Sequence, residues 1–362
     1  MSINVGMIGL THPHSDLHLQ TLHSLDAVAG VVVWDPDPAA VANAQGRWPK
    51  AESSLASLEG VLAREDVPVM VVALPNRDVP EMVVRAARAG KHVLCEKPCA
   101  RSAAEFLPAL AALEKADRRF SPFYLWRRNP AILRMRDLVA QGAMGRITSV
   151  EMRLVTTQVR MRDPSHWLFR RQVAGGGILS WLGCHWLDLL RYLTGEEVEQ
   201  VSAMVGSMGG EVIDVEDVAS LSMRLTGGAV AGLYAGYLLA GGRPGYVSPG
   251  YDMSIILRGT QGTLRHQADG NRHVVTMESH APDWETAPRQ EFHFLLPEVR
   301  AYGGAHGLEL VARFIKAAVG DIGESSAVLP GAVDALRVLE ILDAAYASAE
   351  SGRTTAVERT AS

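Results

Sequence analysis

Residues 3–14 read INVGMIGLTHPH, an apolar run that ends at Gly9 and continues into a polar segment. This pattern predicts a buried strand, a tight turn and the start of a helix. Over residues 1–124, four more apolar runs alternate with segments of helical periodicity: Ala29–Trp34, Val69–Ala73, His92–Cys95 and Phe120–Tyr124. Continuous apolar strands that alternate with helices are typical of a parallel sheet covered on both faces. We expect an α/β chain that begins with a doubly wound parallel sheet.

After residue 124 the pattern changes. Helices are predicted at 130–141, at about 178–194 after a glycine run, at about 306–319 and at about 331–350. Strand-like alternation marks segments at 146–159, 198–208, 217–225, 229–239, 252–258 and 273–278. Thr226-Gly227-Gly228 suits a hairpin turn between two of them. The sequence therefore predicts a second, α+β domain with an open, largely antiparallel sheet.

The composition sets limits on function. Of 362 residues, 21% are charged, and the formal net charge is −5. Nucleic-acid binding needs a clustered basic surface, so we expect no nucleic-acid partner. No uncharged stretch reaches the ~20 residues that cross a bilayer, and the start lacks a signal-peptide pattern. Cys95, Cys99 and Cys184 offer neither a disulfide framework nor zinc-type spacing. We therefore expect a cytoplasmic protein with no membrane partner and no metal.

The turn after the first strand has part of the pattern of a dinucleotide-binding loop. Glycines in such a loop let the backbone approach the pyrophosphate, which lies at the N-terminus of the following helix. Gly9 fits the first position of the GxGxxG pattern, but Thr11 and His14 stand at the other two glycine positions. An ordinary tight turn is the alternative. We expect the loop from Gly9 through Leu10, Thr11, His12 and His14 to contact a cofactor.

Asp35 closes the second predicted strand, 26 residues after Gly9. An acidic side chain at this point accepts hydrogen bonds from the adenosine ribose hydroxyls and repels a 2′-phosphate. Pro36 and Asp37 follow, and there is no arginine beside them to neutralise a phosphate. We therefore expect NAD to be preferred over NADP. The alternative is that Asp35 only caps the helix that starts near Pro38.

The stretch Cys95-Glu96-Lys97-Pro98 lies at the end of the fifth predicted strand. Ligands of open α/β sheets bind beyond the carboxyl ends of the strands, so Lys97 is expected to face the binding crevice. Its ammonium group can polarise a substrate hydroxyl or carbonyl beside a nicotinamide. The alternative is a solvated charge at the end of a strand.

A glycine run, Gly175–Gly177, precedes the predicted helix that carries Trp181, His185 and Asp188. Glycines permit close approach of the backbone to another group. His185 lies four residues after Trp181 and therefore on the same helical face. Asp188, three residues later, can orient the imidazole of His185. The alternative is a histidine whose hydrogen bonds are satisfied within the core.

Together these stretches resemble the Gfo/Idh/MocA family, named after glucose–fructose oxidoreductase and inositol dehydrogenase. Glu96-Lys97-Pro98 is the most specific mark, and Gly175–Gly177, Gly183, His185 and Asp188 match a second family motif. Further matching stretches extend the resemblance over nearly the whole chain: Leu74-Pro75-Asn76, Ala89–Val93, Glu216-Asp217, Gly259–Gly262 and Ser348–Arg353.

The resemblance implies an NAD(P)-binding Rossmann domain at 1–124. It implies a substrate-binding domain at 125–362, whose open sheet forms homodimers or homotetramers. It also implies reversible hydride transfer between nicotinamide and a hydroxyl or carbonyl carbon, commonly on a sugar or polyol. Lys97 and His185 fall on the positions of the family's catalytic lysine and histidine. Positions that commonly contact the cofactor correspond to Gly9, Asp35, Pro75, Asn76, Glu96 and Lys97.

The sequence departs from the family at Trp181, where the family has an aspartate one turn before the histidine. Without that carboxylate, His185 loses a neighbour that would raise its pKa and share its proton. Trp181 offers instead a flat apolar face to a sugar ring. Tryptophans are concentrated between residues 126 and 186, and aromatic faces suit carbohydrate. We expect the substrate to contact Trp181, Asp188, His166 and Trp167.

The leading hypothesis is an NAD-dependent dehydrogenase that acts on a small polyhydroxylated substrate. In this hypothesis His185 exchanges the hydroxyl proton and Lys97 stabilises the developing oxyanion, while nicotinamide carries the hydride. A second hypothesis is a lyase or glycosidase that uses bound NAD for transient redox chemistry. A third is a nucleotide-binding regulator that has lost the chemistry, which Trp181 motivates.

Overall fold

The computed structural model describes residues 2–52, 57–240, 251–320 and 329–360. The chain divides into two compact units. The first unit contains residues Met1–Leu125 and Glu298–Leu336, and the second contains Trp126–Pro297 and Arg337–Ser362. The boundary expected after residue 124 differs from this division in one segment. Residues 298–336 fold with the first unit, although their position in the sequence assigned them to the second domain.

The packing around Tyr302 explains why this segment belongs to the first unit. Tyr302 is completely buried, and its backbone N–H donates to Thr21 Oγ1 over 2.7 Å. Its ring centroid lies 5.5 Å from that of Phe123. Gly303 has a φ of +67° and lies so close to Leu125 that a β-carbon would be 2.7 Å from Leu125 Cδ2. Helical periodicity predicts the helix that follows, but it does not say which sheet that helix covers.

The first unit is built on a six-stranded parallel sheet with the order β3-β2-β1-β4-β5-β6. Its strands are β1 (Ile3–Ile8), β2 (Val28–Trp34), β3 (Ala51–Glu52), β4 (Val69–Val72), β5 (His92–Cys95) and β6 (Phe120–Pro122). The helices between them are α1 (Ser15–Ser24), α2 (Pro38–Arg47), α3 (Leu58–Ala63), α4 (Val79–Arg88) and α5 (Ala103–Ala116). This arrangement confirms the doubly wound parallel sheet.

All five apolar runs of residues 1–124 form strands because their side chains are buried on both faces of the sheet. The four residues of β4, for example, are all buried, as are the last four residues of β1. The short elements β3 and α3 were not predicted. β3 has two residues and α3 has six, which is too little for a periodic pattern to emerge.

The second unit is built on a nine-stranded mixed sheet with the order β14-β13-β12-β11-β7-β10-β9-β8-β15. Its strands are β7 (Ile147–Thr157), β8 (Val198–Gly206), β9 (Val218–Leu225), β10 (Val230–Leu239), β11 (Tyr251–Gly259), β12 (Gly262–Asp269), β13 (Arg272–Ser279), β14 (Arg289–Leu295) and β15 (Thr355–Ala356). The remaining helices of the chain are α6 (Pro130–Ala140), α7 (Arg171–Ala174), α8 (Cys184–Thr194), α9 (Gly304–Ala318) and α10 (Ala332–Ser351).

Only the β10–β7 pair of this sheet is parallel among the described residues, so the prediction of a largely antiparallel sheet is confirmed. Gly228 makes the predicted hairpin turn with a φ of +85°. The helix predicted from residue 178 starts differently, because Leu179–Gly183 forms a π-helical turn before α8. No helix within the described residues has the length and apolar content needed to cross a bilayer.

Candidate cofactor and substrate sites

The strand order of the first sheet fixes where a ligand can bind. The order reverses between β1 and β4, and open α/β sheets bind ligands beyond the carboxyl ends of the strands at this point. Gly9 follows β1, Asp35 follows β2, Asn76 comes shortly after β4, and Lys97 comes shortly after β5. Four residues predicted to contact cofactor are thus brought to the same edge of the sheet.

Gly9 makes a turn that only glycine fits. Its φ is +92°, and a β-carbon would lie 2.0 Å from the carbonyl oxygen of Ala73. The turn is held by Gly9 N–H, which donates to Trp34 O over 2.9 Å. Ser15, at the start of α1, donates its hydroxyl to Gly9 O over 2.8 Å. The backbone from Gly9 therefore leads directly into a helix N-terminus, the arrangement that favours a bound phosphate.

Asp35 is buried and holds the loop together. Its Oδ2 accepts from Leu10 N–H over 2.5 Å, and its Oδ1 accepts from Asp37 N–H over 2.8 Å. The cap of α2 is a different residue, because Asp37 Oδ1 accepts from Ala39 N–H over 2.9 Å. The alternative that Asp35 caps this helix is therefore wrong. Each carboxylate oxygen of Asp35 retains a further lone pair that can accept a hydrogen bond from a ligand.

A group of polar side chains lies between the start of α1 and the end of β5, and we call His12, His14, His18 and Glu96 the histidine cluster. Glu96 Oε1 lies 2.9 Å from His14 Nδ1 and 2.6 Å from His18 Nε2, and both imidazoles donate to the ionised carboxylate. Glu96 Oε2 accepts from Lys97 N–H over 3.2 Å. His12 Nδ1 accepts from His14 N–H over 3.1 Å.

His18 was missed by the sequence analysis, although it stands four residues after His14 and the two share a helical face. The aromatic partner of the cluster, Tyr302, was also missed. The Tyr302 ring lies 4.6 Å from the His14 ring and 4.4 Å from the His18 ring, measured between centroids. Because Tyr302 follows His14 and His18 by nearly 300 positions, no local pattern reveals these contacts.

Burial governs the ionisation of the histidine cluster. It lowers the pKa of His14 to about 4 and that of His12 well below its ordinary value, and the nearby charge of Lys97 lowers both further. Burial alone would raise the pKa of Glu96, but the charges and hydrogen bonds of His14 and His18 outweigh it. The pKa of Glu96 consequently falls well below its usual range. At neutral pH the site contains a carboxylate beside neutral His12 and His14.

Lys97 and Asn76 are both buried at this edge, and Lys97 has no exposed surface at all. A solvated charge at the end of a strand is therefore the wrong description of Lys97. The Lys97–Pro98 peptide bond is cis. Pro75 starts a turn in which its carbonyl oxygen accepts from Asp78 N–H over 2.8 Å, directly before α4. These positions give the first unit a buried ammonium group and a buried amide at the sheet edge where Gly9 follows β1.

In the second unit, the glycine run packs against Glu216. A β-carbon on Gly177 would lie 1.9 Å from the carbonyl oxygen of Glu216, and one on Gly176 would lie 1.8 Å from the hydroxyl of Tyr346. The Glu216 carboxylate accepts from Gly177 N–H over 2.8 Å and from Leu179 N–H over 3.0 Å. The close approach that these glycines permit is therefore to the unit's own backbone and side chains.

The predicted substrate residues Trp181, Trp167 and His166 form one aromatic group in the second unit. The rings of Trp167 and Trp181 meet edge to face at 85° with centroids 6.3 Å apart, and the His166 ring lies 5.3 Å from that of Trp167. His166 Nδ1 also accepts from Leu168 N–H over 3.3 Å. His185 is buried one residue into α8, directly after the π-helical turn that contains Trp181.

Asp188 forms a buried ion pair that was not predicted. Arg127 donates to both of its carboxylate oxygens, over 2.8 Å from Nε and 2.5 Å from Nη2. The Arg127 guanidinium also lies over the ring of Tyr192, 4.8 Å from its centroid. Arg127 stands 61 positions before Asp188, so neither spacing nor periodicity links the two. The expected role of Asp188 in orienting His185 stays a prediction.

Comparison with known sequences assigns both parts of the chain to known protein families. Residues 3–124 match the family described as "Oxidoreductase family, NAD-binding Rossmann fold", and residues 132–265 match the "GFO/IDH/MocA C-terminal domain". The chain belongs to the Gfo/Idh/MocA family. The resemblance seen in the sequence is thereby confirmed, and the protein is an oxidoreductase with an NAD-binding Rossmann fold.

Characterised members of the Gfo/Idh/MocA family align along most of the chain. Levoglucosan dehydrogenase of Pseudarthrobacter phenanthrenivorans is 27% identical over 351 residues, covering 88% of this chain and 87% of the relative. Inositol 2-dehydrogenase of Rhizobium meliloti is 25% identical and covers 98% of both chains. The solved structure of levoglucosan dehydrogenase in complex with NADH superposes with a TM-score of 0.82 at 23% identity, over 99% of this chain and all of that one. The two-part fold is thus that of the Gfo/Idh/MocA enzymes.

Proposed function

We propose that the protein is an NAD-dependent dehydrogenase that transfers hydride between nicotinamide and a hydroxyl-bearing carbon of a sugar, inositol or related polyol. The observation that carries the proposal is the edge of the first sheet. There, Gly9, Asp35, Asn76 and Lys97 follow four strands around the switch point of the Rossmann order. The names of the levoglucosan and inositol dehydrogenases support the substrate class.

The residues present fit a dinucleotide. The strained turn at Gly9 leads into the N-terminus of α1, and the residues from Gly9 to His14 are expected to meet the diphosphate through backbone groups. Asp35 would accept hydrogen bonds from the ribose hydroxyls, and Pro75, Asn76 and Glu96 would contact the cofactor. When bound, the nicotinamide supplies or accepts the hydride. The complex that levoglucosan dehydrogenase forms with NADH supports a dinucleotide as the cofactor.

NAD is proposed to be preferred over NADP because of Asp35. Its buried carboxylate accepts hydrogen bonds from Leu10 N–H and Asp37 N–H, so it is held in one orientation. A 2′-phosphate would meet this fixed negative charge without a compensating cation. Ribose hydroxyls, by contrast, can donate to the remaining lone pairs of the carboxylate.

Lys97 and His185 are proposed as the catalytic residues. Lys97 stabilises the negative charge that develops on the substrate oxygen, and His185 exchanges the hydroxyl proton. Complete burial of Lys97 supports this role, since an ammonium group acts more strongly on a neighbouring oxygen where water is excluded. Trp181, Trp167 and His166, with Asp188, are proposed to contact the substrate, and the paired indole rings offer a face for a sugar.

One observation favours a second candidate function. Trp181 stands where the family has a carboxylate, so that carboxylate is not present to share the proton of His185. A lyase or glycosidase that oxidises and reduces its substrate on one bound NAD, or a regulator that only binds the cofactor, fits this change. Accumulation of free NADH during turnover distinguishes the dehydrogenase from the other two.

The test is an NADH absorbance screen with purified protein, NAD and a panel of sugars, anhydrosugars and inositols. We expect NADH to accumulate with at least one member of the panel and not with the Lys97→Ala variant. If NAD binds but no polyol of the panel yields NADH, and a glycoside is cleaved, the result would favour the second function. No NAD binding at all would remove the proposal.

The sheet of the second unit is proposed to join copies of the chain into a homodimer or homotetramer. Met204, Ser220 and Tyr234 lie side by side on β8, β9 and β10, and Met204 is 81% exposed. Exposed Met204 and Tyr234, on either side of Ser220, give this open sheet large side chains suited to packing against a second copy. We also propose a cytoplasmic location, which the buried thiols Cys95, Cys99 and Cys184 support.

A further inference from the structure

Three imidazoles and one carboxylate are gathered at the start of α1. One ligand-type atom from each of His12, His14 and Glu96 lies within 4.8 Å of the others. His12 and Glu96 are buried, and His14 is nearly so. The loop after β1, which is usually rich in glycine in dinucleotide-binding folds, therefore carries two side chains of a metal-binding type, His12 and His14.

We propose that His12, His14 and Glu96 bind one divalent transition-metal ion. Imidazole nitrogen and carboxylate oxygen are ligands of zinc, and two histidines with one glutamate form a set of three that leaves coordination positions open. Such a set suits zinc or another first-row divalent ion, whereas calcium and magnesium prefer oxygen ligands alone. The site uses no cysteine, which is why the cysteine spacing predicts no metal.

The distances suit an ion after a small adjustment. His14 Nδ1 and Glu96 Oε1 lie 2.9 Å apart. Two ligand atoms on one zinc ion lie roughly 3 Å apart when each bond is about 2.0–2.1 Å. All ligand-type atoms of the group lie within 4.8 Å of one another, so a shift of at most about 1.8 Å, of the size that rotation of one side chain supplies, brings each pair to this separation.

His18 is placed to orient the carboxylate. Its Nε2 lies 2.6 Å from Glu96 Oε1, and its ring is fixed between Tyr302 and Phe123, each with a centroid 4.4 Å away. Metal-binding carboxylates are commonly held by a hydrogen bond from a residue outside the ligand set. His18 is thus a positioning residue for the proposed site and not one of its ligands.

His12 distinguishes a metal site from a hydrogen-bonded network. Hydrogen bonds to Glu96 Oε1 come from His14 and His18, whereas the contact described for His12 is to the backbone of His14. His12 Nδ1 accepts from His14 N–H over 3.1 Å. That bond is incompatible with metal binding: an ion on Nδ1 takes the lone pair, and an ion on Nε2 leaves Nδ1 protonated. Metal binding therefore releases the His14 N–H.

The experiment uses the full chain, stripped of metal and nucleotide, and titrates it with zinc in competition with a chromophoric chelator. We expect one zinc ion per chain, and we expect His12→Ala to weaken its affinity by at least 100-fold. His18→Gln is expected to weaken it by 10- to 100-fold, the usual effect of losing an orienting partner. Equal affinity of the wild-type and His12→Ala proteins, or no binding to the wild type, would overturn the proposal.

A surface pair provides the matched control. His293 Nε2 lies 3.4 Å from Glu291 Oε2, and both side chains are exposed. His293→Ala is expected to leave zinc affinity unchanged, and a loss equal to that of His12→Ala would assign the binding to surface imidazoles and overturn the proposal. Because the titration contains no nucleotide, it stands whatever the result of the NADH screen.

A second measurement covers the case in which His12→Ala does not fold. Imidazole nitrogen spectra of the wild-type protein, recorded by NMR with and without zinc, report the ring nitrogens directly. We expect zinc to shift the signals of two cluster imidazoles and to perturb the His14 backbone N–H, which loses its acceptor. Shifts confined to exposed histidines would overturn the proposal.

Discussion

Each unit buries a group of histidines, and the two groups differ in one respect. In the first unit, His14 and His18 lie 2.9 Å and 2.6 Å from a carboxylate oxygen of Glu96. In the second, His266 Nε2 and His273 Nδ1 lie 2.9 Å from each other, with their rings stacked at 21°. No carboxylate forms a hydrogen bond or ion pair with the second pair among the described residues, and the amide nitrogen of Asn129 lies 3.5 Å from His273 Nδ1.

Burial of histidines thus has a different electrostatic outcome in each unit. Burial lowers the pKa of His266 to about 3 and that of His273 to about 4, so the pair is neutral and one ring donates to the other. In the first unit Glu96 keeps its charge, because the two imidazoles donate to it. A buried charge at the carboxyl edge of a sheet can act electrostatically on a ligand, whereas the neutral His266–His273 pair offers no net charge to one.

The largest effect expected from this difference is on turnover. Lys97→Ala, next to Glu96, should lower kcat/KM by roughly 10²–10⁴, the range found for acid–base and charge-stabilising groups. His185→Ala should lower it similarly, since its proposed proton exchange serves the same step. Steady-state rates with NAD and the best polyol of the screen measure both changes. His266→Gln serves as the control and should retain kcat; wild-type rates in Lys97→Ala would move the chemistry away from this edge.

The second largest effect concerns stability. Asp188→Asn removes the charge partner of the buried Arg127, and breaking a buried ion pair on one side typically costs 3–5 kcal/mol. We expect a loss of about this size in the free energy of unfolding, measured by urea denaturation. If Asp188 is a substrate residue only, this free energy should hardly change while KM rises.

A matched control for Asp188 exists on the surface of the same unit. Glu151 pairs with Arg258 across β7 and β11, but both side chains are exposed. Exposed pairs contribute about 0–1 kcal/mol, so Glu151→Gln should change the free energy of unfolding by less than that. Equal losses in Asp188→Asn and Glu151→Gln would contradict the claim that burial makes the Arg127 pair important.

The third effect is a pH dependence of stability to which the second histidine group contributes. The folded-state pKa values of His266 and His273 lie below the value of about 6.5 for an unfolded histidine, so the unfolded chain binds protons more tightly. The contribution of this pair is complete above about pH 6.5 and is lost as the pH falls towards 4. Each proton taken up on unfolding costs about 1.4 kcal/mol per pH unit.

Denaturant unfolding between pH 7 and pH 4 measures this slope. In the His266→Gln variant one of these protons is absent, and we expect the slope to fall by up to about 1.4 kcal/mol per pH unit. An unchanged slope in the variant would show that His266 takes up no proton on unfolding in this range. His12 and His14, whose pKa values are also lowered by burial, contribute to the slope equally in both proteins.

Local patterns predicted most of the fold and the strand ends that carry the site. The apolar run Val69–Ala73 became β4, and the residues after it, with Gly9 and Asp35, came to one edge because parallel strands share a direction. What local patterns could not predict were pairs distant in sequence. Tyr302 against His14, and Arg127 against Asp188, join positions that only the tertiary fold brings together.

Trp181 shows a different limit. The residue was predicted to share a helical face with His185, and this rests on an α-helical spacing. The structure forms a π-helical turn over Leu179–Gly183, where the number of residues per turn is larger. Apolar periodicity does not distinguish the two kinds of turn, since every residue of this turn is buried whichever way it faces.

The smallest effect is on the choice of cofactor at the edge of the first sheet. Asp35→Asn keeps an oxygen for Leu10 N–H, but it removes the acceptor of Asp37 N–H and the negative charge proposed to repel a 2′-phosphate. The ratio of the Kd values for NADP and NAD should therefore fall about tenfold, which equals 1.4 kcal/mol. Calorimetric titration with both cofactors measures this ratio.

Asp37→Asn is the matched control, because Asp37 is two residues away and caps α2 through Ala39 N–H, a bond that asparagine also makes. If both variants shift the ratio equally, the preference comes from the summed charge of the loop, and Asp35 has no special position with respect to the ribose.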